Sequence, residues 1–228
     1  EFRRVLFRSA IGVAPGAGLP VAPPTPVRIA TSTLHAVSGA LLLQAPFVLG
    51  FAAWMGALIG SILLWAGTRG ALAAGHLRTV LVARTILPLL AAVLSSLVAV
   101  VTVSLLAESW EHFWQLWAFR WLVMSAALGT VTALFSLFGF PALLLAVPLV
   151  FYQSAVGGAL APTSAAPDWL AWLALLPLAD MTRGMRALLI GGPSDAVQWT
   201  GIAILLSAAI LTAWIGTVLW GARYRLAR

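Results

Sequence analysis

The sequence predicts an all-α membrane protein: a polytopic bundle of about five transmembrane helices, with one further short outer helix that is interfacial or re-entrant. Hydrophobic residues make up 62% of the chain and charged residues only 8%, whereas a globular domain carries about 25% charged residues. The mean hydropathy is +1.03. Apolar runs of about 20 residues recur, and a helix of that length crosses a hydrocarbon core about 30 Å thick. We therefore expect the lipid bilayer to be the solvent of this chain and its main partner.

The charges of the chain are arranged as topology signals. All thirteen basic residues are arginine, and with six acidic residues they give a net charge of +7. The arginines lie beside apolar runs, as such signals do at an anionic membrane surface. They form no basic stripe interleaved with aromatic residues, so we predict no nucleic-acid partner. The absence of cysteine excludes disulfides and thiolate chemistry.

Residues 1–33 are predicted to precede the membrane domain, which we assign to residues 34–228. Residues 1–9 differ in character from the rest of the chain, and Glu1-Phe2 is the translation of a GAATTC linker, so we interpret them as a cloning or assembly scar. Residues 10–33 are a Pro/Ala-rich extracytoplasmic linker, because repeated prolines prevent a continuous helix and favour extended backbone. The chain begins without methionine, and we expect it to be a fragment of a longer protein.

Five apolar segments are the candidate spans. They are residues 46–65, 86–107, 116–138, 141–161 and 200–220. Pro88 falls in the first turn of the second span, where proline is tolerated. Gly139 can end the third span and Pro141 can begin the fourth, which predicts a tight turn between them.

Three glycines of the first span form a candidate helix-packing surface. Gly50, Gly56 and Gly60 fall on nearly one face, and the spacing of Gly56 and Gly60 is the GxxxG pattern that lets helices approach closely. Chance recurrence in a chain with 20 glycines is the alternative interpretation.

Residues 67–83 are predicted to form a polar connection of amphipathic character between the first two spans. Alternation of sides places this connection, the Gly139 turn and the C-terminus together. That side collects most arginines beyond residue 9, namely Arg69, Arg78, Arg84, Arg223, Arg225 and Arg228. By the positive-inside rule the C-terminus is predicted to be cytoplasmic. The opposite side carries Arg28, Arg183 and Arg186.

The sequence offers no catalytic or metal-binding pattern. His35, His76 and His112 are far apart, and the predicted topology places His76 on the opposite side from the other two. No HExxH, GxSxG or Walker-type loop is present. We therefore predict that the chain is not an enzyme and takes no metal or cofactor.

A polar cluster at the outer mouth of the bundle is the candidate functional surface, with members Arg120, Gln153, Asp180, Arg183 and Arg186. Arg120 lies about one turn inside the third span, where a guanidinium is costly. One interpretation is that it extends to the outer headgroups beside Trp117 and Trp121. The other is that it pairs with one of the nearby acids, Glu108, Glu111, Asp168 or Asp180.

The segment between Pro177 and Gly191 is predicted to be a short amphipathic helix. Asp180, Arg183 and Arg186 share one face, and the opposite face carries Leu178, Met181, Met185 and Leu188. One interpretation is an interfacial helix with its apolar side in the membrane. The other is a helix that enters the outer mouth, with its charges lining a cavity.

Three segments, taken in their order along the chain, resemble the C-terminal membrane domain of the YhgE/Pip family, which is related to permeases of type-two ABC exporters. They are LHAVSGALLLQAPFVLGFAAWMGALIGSILLW, LFSLFGFPALLLAVPLVFYQSAVGGALAP and PDWLAWLALLPLADMTRGMRALLIGG. The last is the most specific, with Leu176-Pro177 and a short helix bearing Arg186. The resemblance covers residues 31–228, and the chain departs from the family pattern at Ala179-Asp180-Met181.

This resemblance implies a permease-like domain of an export or transport-related protein in the bacterial plasma membrane. Its alternative is a non-transporting scaffold or receptor, like the phage infection protein, that anchors an extracellular domain. The first alternative implies a separate ATPase subunit or a homo-oligomer as partner. Residues 70–83 are then the connection expected to offer a coupling helix.

Overall fold

A computed structural model describes residues 40–108, 110–156, 177–190 and 194–227, while the predicted scar and linker lie outside these ranges. The described residues are helical and contain no strand, which confirms the all-α prediction. The helices are α1 (Ala40–Ala73), α2 (Leu77–Ala107), α3 (Phe113–Phe138), α4 (Leu143–Val156), α5 (Pro177–Ile190) and α6 (Trp199–Leu226). Four of them, α1, α2, α3 and α6, are long and apolar enough to cross a membrane.

The fourth predicted span is a shorter helix in the described part of the chain. A 3-10 turn, Phe140–Ala142, leads into the 14 residues of α4. Residues 157–161 of the predicted span lie outside the described ranges. Gly139 has a φ of +68°, which a side chain would disfavour, so it ends α3 as the sequence predicts.

The predicted polar connection at residues 67–83 is wrong. Helix α1 continues to Ala73 and α2 already begins at Leu77, so only a three-residue turn separates them. Gly75, with a φ of +93°, makes this turn tight. Polar residues such as Arg69 and Arg78 are exposed at the helix ends because both helices are longer than the hydrocarbon core is thick.

Contacts between helix ends define the two ends of the bundle. At one end, which we call the turn end, the Gly139 turn lies close to Trp65 of α1 and Trp220 of α6. At the α5 end, Phe119 near the start of α3 contacts Gly184 of α5 and packs edge-on against Trp199 of α6. Helices α1, α3 and α6 therefore all run from the α5 end to the turn end, and α2 runs in the opposite direction.

Helix α3 is the core of the bundle. Its residues from Val123 to Gly129 are all buried, whereas α2 and α6 keep large exposed apolar side chains such as Leu94, Ile204 and Leu211. Such exposure over a whole helix face would be costly in water, but it suits contact with lipid. The exposed faces of α2 and α6 are therefore the lipid-facing surface of the described bundle.

Helix α5 packs on the bundle through its apolar face. Leu178, Met181 and Met185 have no exposed surface, and a methyl group added at Gly50 of α1 would lie 2.9 Å from Cδ1 of Leu178. The interpretation of α5 as an interfacial helix with its apolar side in the membrane is therefore wrong, because α1 and α3 cover that side. The amphipathic pattern predicted the helix and its two faces, but not what its apolar face contacts.

Candidate functional site

Arg84 is the centre of a buried polar cluster at the turn end, which we call the arginine hub: Arg84, Thr68, Ser136 and Thr217. Its Nε donates to Oγ1 of Thr68 at 3.0 Å, and its Nη1 donates to Oγ of Ser136 at 3.2 Å and to Oγ1 of Thr217 at 2.9 Å. Only 6% of Arg84 is exposed. Since the four residues come from α2, α1, α3 and α6, the hub joins all four long helices.

Two hydroxyls of the hub are oriented by their own helices. Thr217 Oγ1 donates to the carbonyl of Ala213 at 2.7 Å, and Thr68 Oγ1 donates to the carbonyl of Leu64 at 2.7 Å. Their protons are thereby used, so their lone pairs face the guanidinium as acceptors. The charge of Arg84 is held by hydroxyl dipoles, because the only ion pair among the described residues joins Asp180 and Arg183.

The sequence does not identify the hub, because its polarity pattern assigns Arg84 to the end of a polar connection as a topology signal. Two sequence features could have indicated the hub. The long apolar run after Arg84 places this arginine inside a helix, and three other helices carry hydroxyl residues. Nothing local links them, because Ser136 and Thr217 lie 52 and 133 residues from Arg84.

The middle of the bundle contains a second polar contact between helices, a pair of hydroxyls. Oγ of Ser61 lies 2.9 Å from Oγ1 of Thr132, and it also donates to the carbonyl of Leu128 at 3.3 Å. This pair joins α1 to α3 next to Gly60. It is satisfied, as is the arginine hub.

Buried polar atoms toward the α5 end lack such partners. Within the described ranges no hydrogen bond reaches Nε1 of Trp54, Nε1 of Trp117, Nε and Nη1 of Arg120, or Nε2 of Gln153, and we call these four residues the donor layer. The hydroxyls of Ser96, Ser125 and Thr182 are also buried and have no hydrogen-bond partner among the described residues. Among the described residues, the unpaired nitrogen donors therefore lie toward the α5 end, whereas the buried arginine at the turn end is hydrogen-bonded.

Arg120 lies inside the bundle. Only 3% of it is exposed, so its guanidinium does not extend to the surface beside Trp117 and Trp121. No described acid pairs with it: Asp180 bonds to Arg183, and Glu108 and Glu111 are exposed without an ion pair. Asp168, another predicted partner, lies outside the described residues.

The other candidate mouth residues occupy two different environments. Gln153 is buried, and its Oε1 accepts from the backbone N–H of Leu178 at 3.1 Å, which satisfies an N–H of the first turn of α5 and ties α4 to it. Asp180 and Arg183 form their ion pair on the outer face of α5, and Arg186 is exposed on the same helix. The described contacts thus bring Gln153 to α5, while Arg183 and Arg186 are exposed and Arg120 is buried.

The three glycines of the candidate packing surface each lie against another helix. Methyl groups added at Gly56 and Gly60 would each lie 3.1 Å from a side-chain tip of α3, Cε of Met124 and Cδ2 of Leu128. Gly50 instead lies against Leu178 and Thr182 of α5. The equal steps from Gly56 to Gly60 and from Met124 to Leu128 set the parallel register of α1 and α3.

A cleft of about 230 Å³ opens at the α5 end, between the α2–α3 connection and the last turn of α5. Its lining is formed by Ser104, Ala107, Glu111, His112, Phe113, Leu116, Leu188, Leu189 and Ile190. Glu111 and His112 are exposed at this cleft and are its titratable groups. Among the described residues, no three His, Cys, Asp or Glu side chains come close enough together to hold a metal ion.

Comparisons with known proteins assign no function to these residues. No protein-family model, curated protein or solved structure matches the chain.

Proposed function

We propose that this bundle is the membrane-embedded, permease-like domain of an export or transport-related protein of the bacterial plasma membrane. The observation that supports the proposal is the burial of two arginines, Arg84 and Arg120, toward opposite ends of one helix bundle. Ionisable side chains inside membrane helices are costly, face the bundle interior, and commonly mark the pathways of substrates or ions. The resemblance to the YhgE/Pip family agrees with this function and is part of the proposal.

The depth of the two arginines supports a pathway rather than two surface anchors. Arg84 follows Leu77, the first residue of α2, by seven positions, and Arg120 follows Phe113, the first residue of α3, by seven positions. Each therefore lies about 10 Å along its helix from the nearer end. Buried hydroxyls at Ser96, Ser125, Ser61 and Thr132 lie between these levels.

The energy source belongs to a partner in this proposal, either a separate ATPase subunit or a second copy of the chain. The three-residue α1–α2 turn offers no coupling helix of its own, so an ATPase would contact the helix ends around Arg78 and the end of α6. This small surface favours the second candidate function, a non-transporting scaffold or receptor that anchors an extracellular domain.

Thiol labelling from both sides of a membrane separates these functions, because the chain has no native cysteine. In sealed proteoliposomes, we expect Ser125→Cys, buried in the middle of α3, to react with an impermeant maleimide from either side. An alternative open state populated at about 0.1–10% would make this reaction roughly 10- to 1000-fold slower than that of an exposed cysteine. Reaction from neither side, or from one side only, would favour the scaffold.

The matched control is Ala74→Cys in the exposed α1–α2 turn, which must react rapidly from a single side. It reports both the sealing of the vesicles and the orientation of the chain. Ser96→Cys on α2 repeats the measurement from a second helix, since Ser96 is also fully buried.

The orientation is a separate prediction, with the C-terminus in the cytoplasm. Arg223 and Arg225 lie exposed in the last turns of α6, at the same end as Arg69 and Arg78, and positive loops are retained on the cytoplasmic side. Ala227→Cys should therefore react in inside-out vesicles and stay unlabelled in intact spheroplasts. Rapid labelling in spheroplasts, with Ala74→Cys behaving alike, would reverse the orientation.

A further inference from the structure

The donor layer toward the α5 end has the composition of an anion site. We propose that an oxyanion group, a carboxylate or a phosphate, binds to the buried guanidinium of Arg120 and enters through the cleft at Leu116. This site goes beyond the proposed transport function and does not depend on it, because a scaffold could hold the same group as a bound lipid or cofactor.

The unpaired atoms of the donor layer are all hydrogen-bond donors, so a ligand that binds them must carry hydrogen-bond acceptors. The nitrogens of Trp54, Trp117 and Arg120 that lack a partner in the described part of the chain can donate hydrogen bonds but cannot accept them, and the same holds for Nε2 of Gln153. Buried donors of this kind normally have partners. A ligand that satisfies Nε and Nη1 of Arg120 must present oxygen acceptors, and a carboxylate or phosphate also neutralises the guanidinium through paired hydrogen bonds.

The register of the helices places part of this layer at one level. Met124 of α3 faces Gly56 of α1. Arg120 precedes Met124 by four residues and Trp54 precedes Gly56 by two, so in these parallel helices they differ by about 3 Å along the axis. Trp117 lies three residues before Arg120, which puts it on a neighbouring part of the same helix face.

The face of α3 that lines the cleft at Leu116 also carries Arg120, one turn further along the helix. Leu116 lines the cleft, Arg120 follows it by four residues and Met124 follows by another four, so the three share one stripe along the helix. Phe119, beside Arg120, is covered by Gly184 of α5. Helix α5 therefore lies over this part of α3, and its last residues, 188–190, form the opposite wall of the cleft.

The residues that line the cleft are compatible with two sources of the anion, an amphiphile or a free ion. Six of its nine lining residues are apolar, Phe113, Leu116 and Leu189 among them, and these could contact the acyl chain of an anionic lipid or fatty acid, while Ser104, Glu111 and His112 make the rest of the surface polar. A free phosphate or a small carboxylate would use the same donors without that chain. Glu111 at the cleft opposes any anion electrostatically, so its charge should weaken binding without abolishing it.

The test is a ligand titration of the purified chain in an uncharged maltoside detergent, followed by thermal unfolding at constant ionic strength. Inorganic phosphate and acetate probe the free anion, and decanoate and phosphatidylglycerol probe the amphiphile. We expect at least one of these ligands to raise the unfolding temperature saturably, and stronger binding of the second pair would identify a lipid source. No saturable stabilisation by any of the four would overturn the proposal.

Variants of the chain assign the effect to Arg120. Arg120→Gln should weaken apparent binding at least tenfold, whereas Arg78→Gln, an exposed arginine at the other end, should bind as the wild type does. Glu111→Gln should bind more tightly than the wild type. Equal binding by Arg120→Gln and the wild type would overturn the proposal, and so would weaker binding by Glu111→Gln.

The apolar variant Arg120→Met separates an external ligand from a partner within the chain. If the guanidinium has no acid of its own chain, removing its charge should leave the ligand-free protein at least as stable as the wild type. A large fall in the unfolding temperature without ligand would indicate an internal partner such as Asp168 and would overturn the proposal. If neither Arg120 variant folds, the wild-type and Glu111→Gln titrations still decide it.

Discussion

Gly216→Ala should destabilise the bundle more than any other single methyl addition that the packing suggests. A Cβ at this position would lie 2.5 Å from the carbonyl oxygen of Ser136, 2.6 Å from its carbonyl carbon and 2.9 Å from the backbone N of Leu137. These are backbone atoms, so no change of rotamer can relieve the overlap, and α6 must move away from α3. Overpacking of this kind costs about 1–3 kcal/mol or more. Unfolding in mixed detergent by SDS titration measures the loss.

Two other glycines provide a graded control in the same assay. At Gly60 an added methyl group would meet Cδ2 of Leu128 at 3.1 Å, a side-chain tip that can shift by a few tenths of an ångström, so Gly60→Ala should cost less than Gly216→Ala. At Gly67, exposed within α1, no atom of the described residues lies within 4 Å of an added methyl group, and Gly67→Ala should stabilise the helix by about 0.5–1 kcal/mol. If Gly216→Ala were as stable as Gly67→Ala, this result would contradict the close packing of α6 against the backbone of α3 at Gly216.

Gly216 also shows why part of the packing is not predictable from sequence. The Gly56–Gly60 spacing is visible within one segment, and it indicates a candidate surface. Gly216 has no partner glycine four residues away in α6, and what makes it necessary is the backbone of Ser136 and Leu137, some 80 residues earlier in the chain. Close approach between helices is a property of two surfaces, and one sequence segment shows only one of them.

The fold class is predictable because hydropathy and length constrain any chain that crosses a bilayer. The boundaries of α1 and α2 are not, because polarity reports where a helix leaves the hydrocarbon core rather than where its hydrogen bonding ends. Polarity alone therefore predicts a loop around Arg69 and Arg78, although both lie on exposed helix ends. The same reasoning assigns Arg84 to the surface, although three hydroxyls from distant segments bury it.

The arginine hub should be damaged more by loss of its hydroxyls than by loss of its charge. With Ser136→Ala and Thr217→Val together, Nη1 of Arg84 loses both of its acceptors while the guanidinium stays buried. Hydrogen bonds to a charged group contribute about 1.5–3 kcal/mol, and a buried charge left short of acceptors loses that stabilisation. Arg84→Met removes the charge itself, and Thr68 and Thr217 keep the hydrogen bonds to their own helices. We therefore expect Arg84→Met to be the more stable of the two variants by SDS titration.

A double-mutant cycle isolates the contribution of the charge. In the Arg84→Met background, Ser136→Ala with Thr217→Val should cost much less than in the wild type, which gives a coupling energy of about 1–3 kcal/mol. Thr212→Val is the matched control, because Thr212 makes the same local bond to its own helix, to the carbonyl of Ala208 at 2.8 Å, but is not part of the hub. Its cost should be the same with Arg84 and with Met. Equal costs of the hydroxyl losses in both backgrounds would mean that Arg84 does not depend on them, and that its charge is satisfied elsewhere.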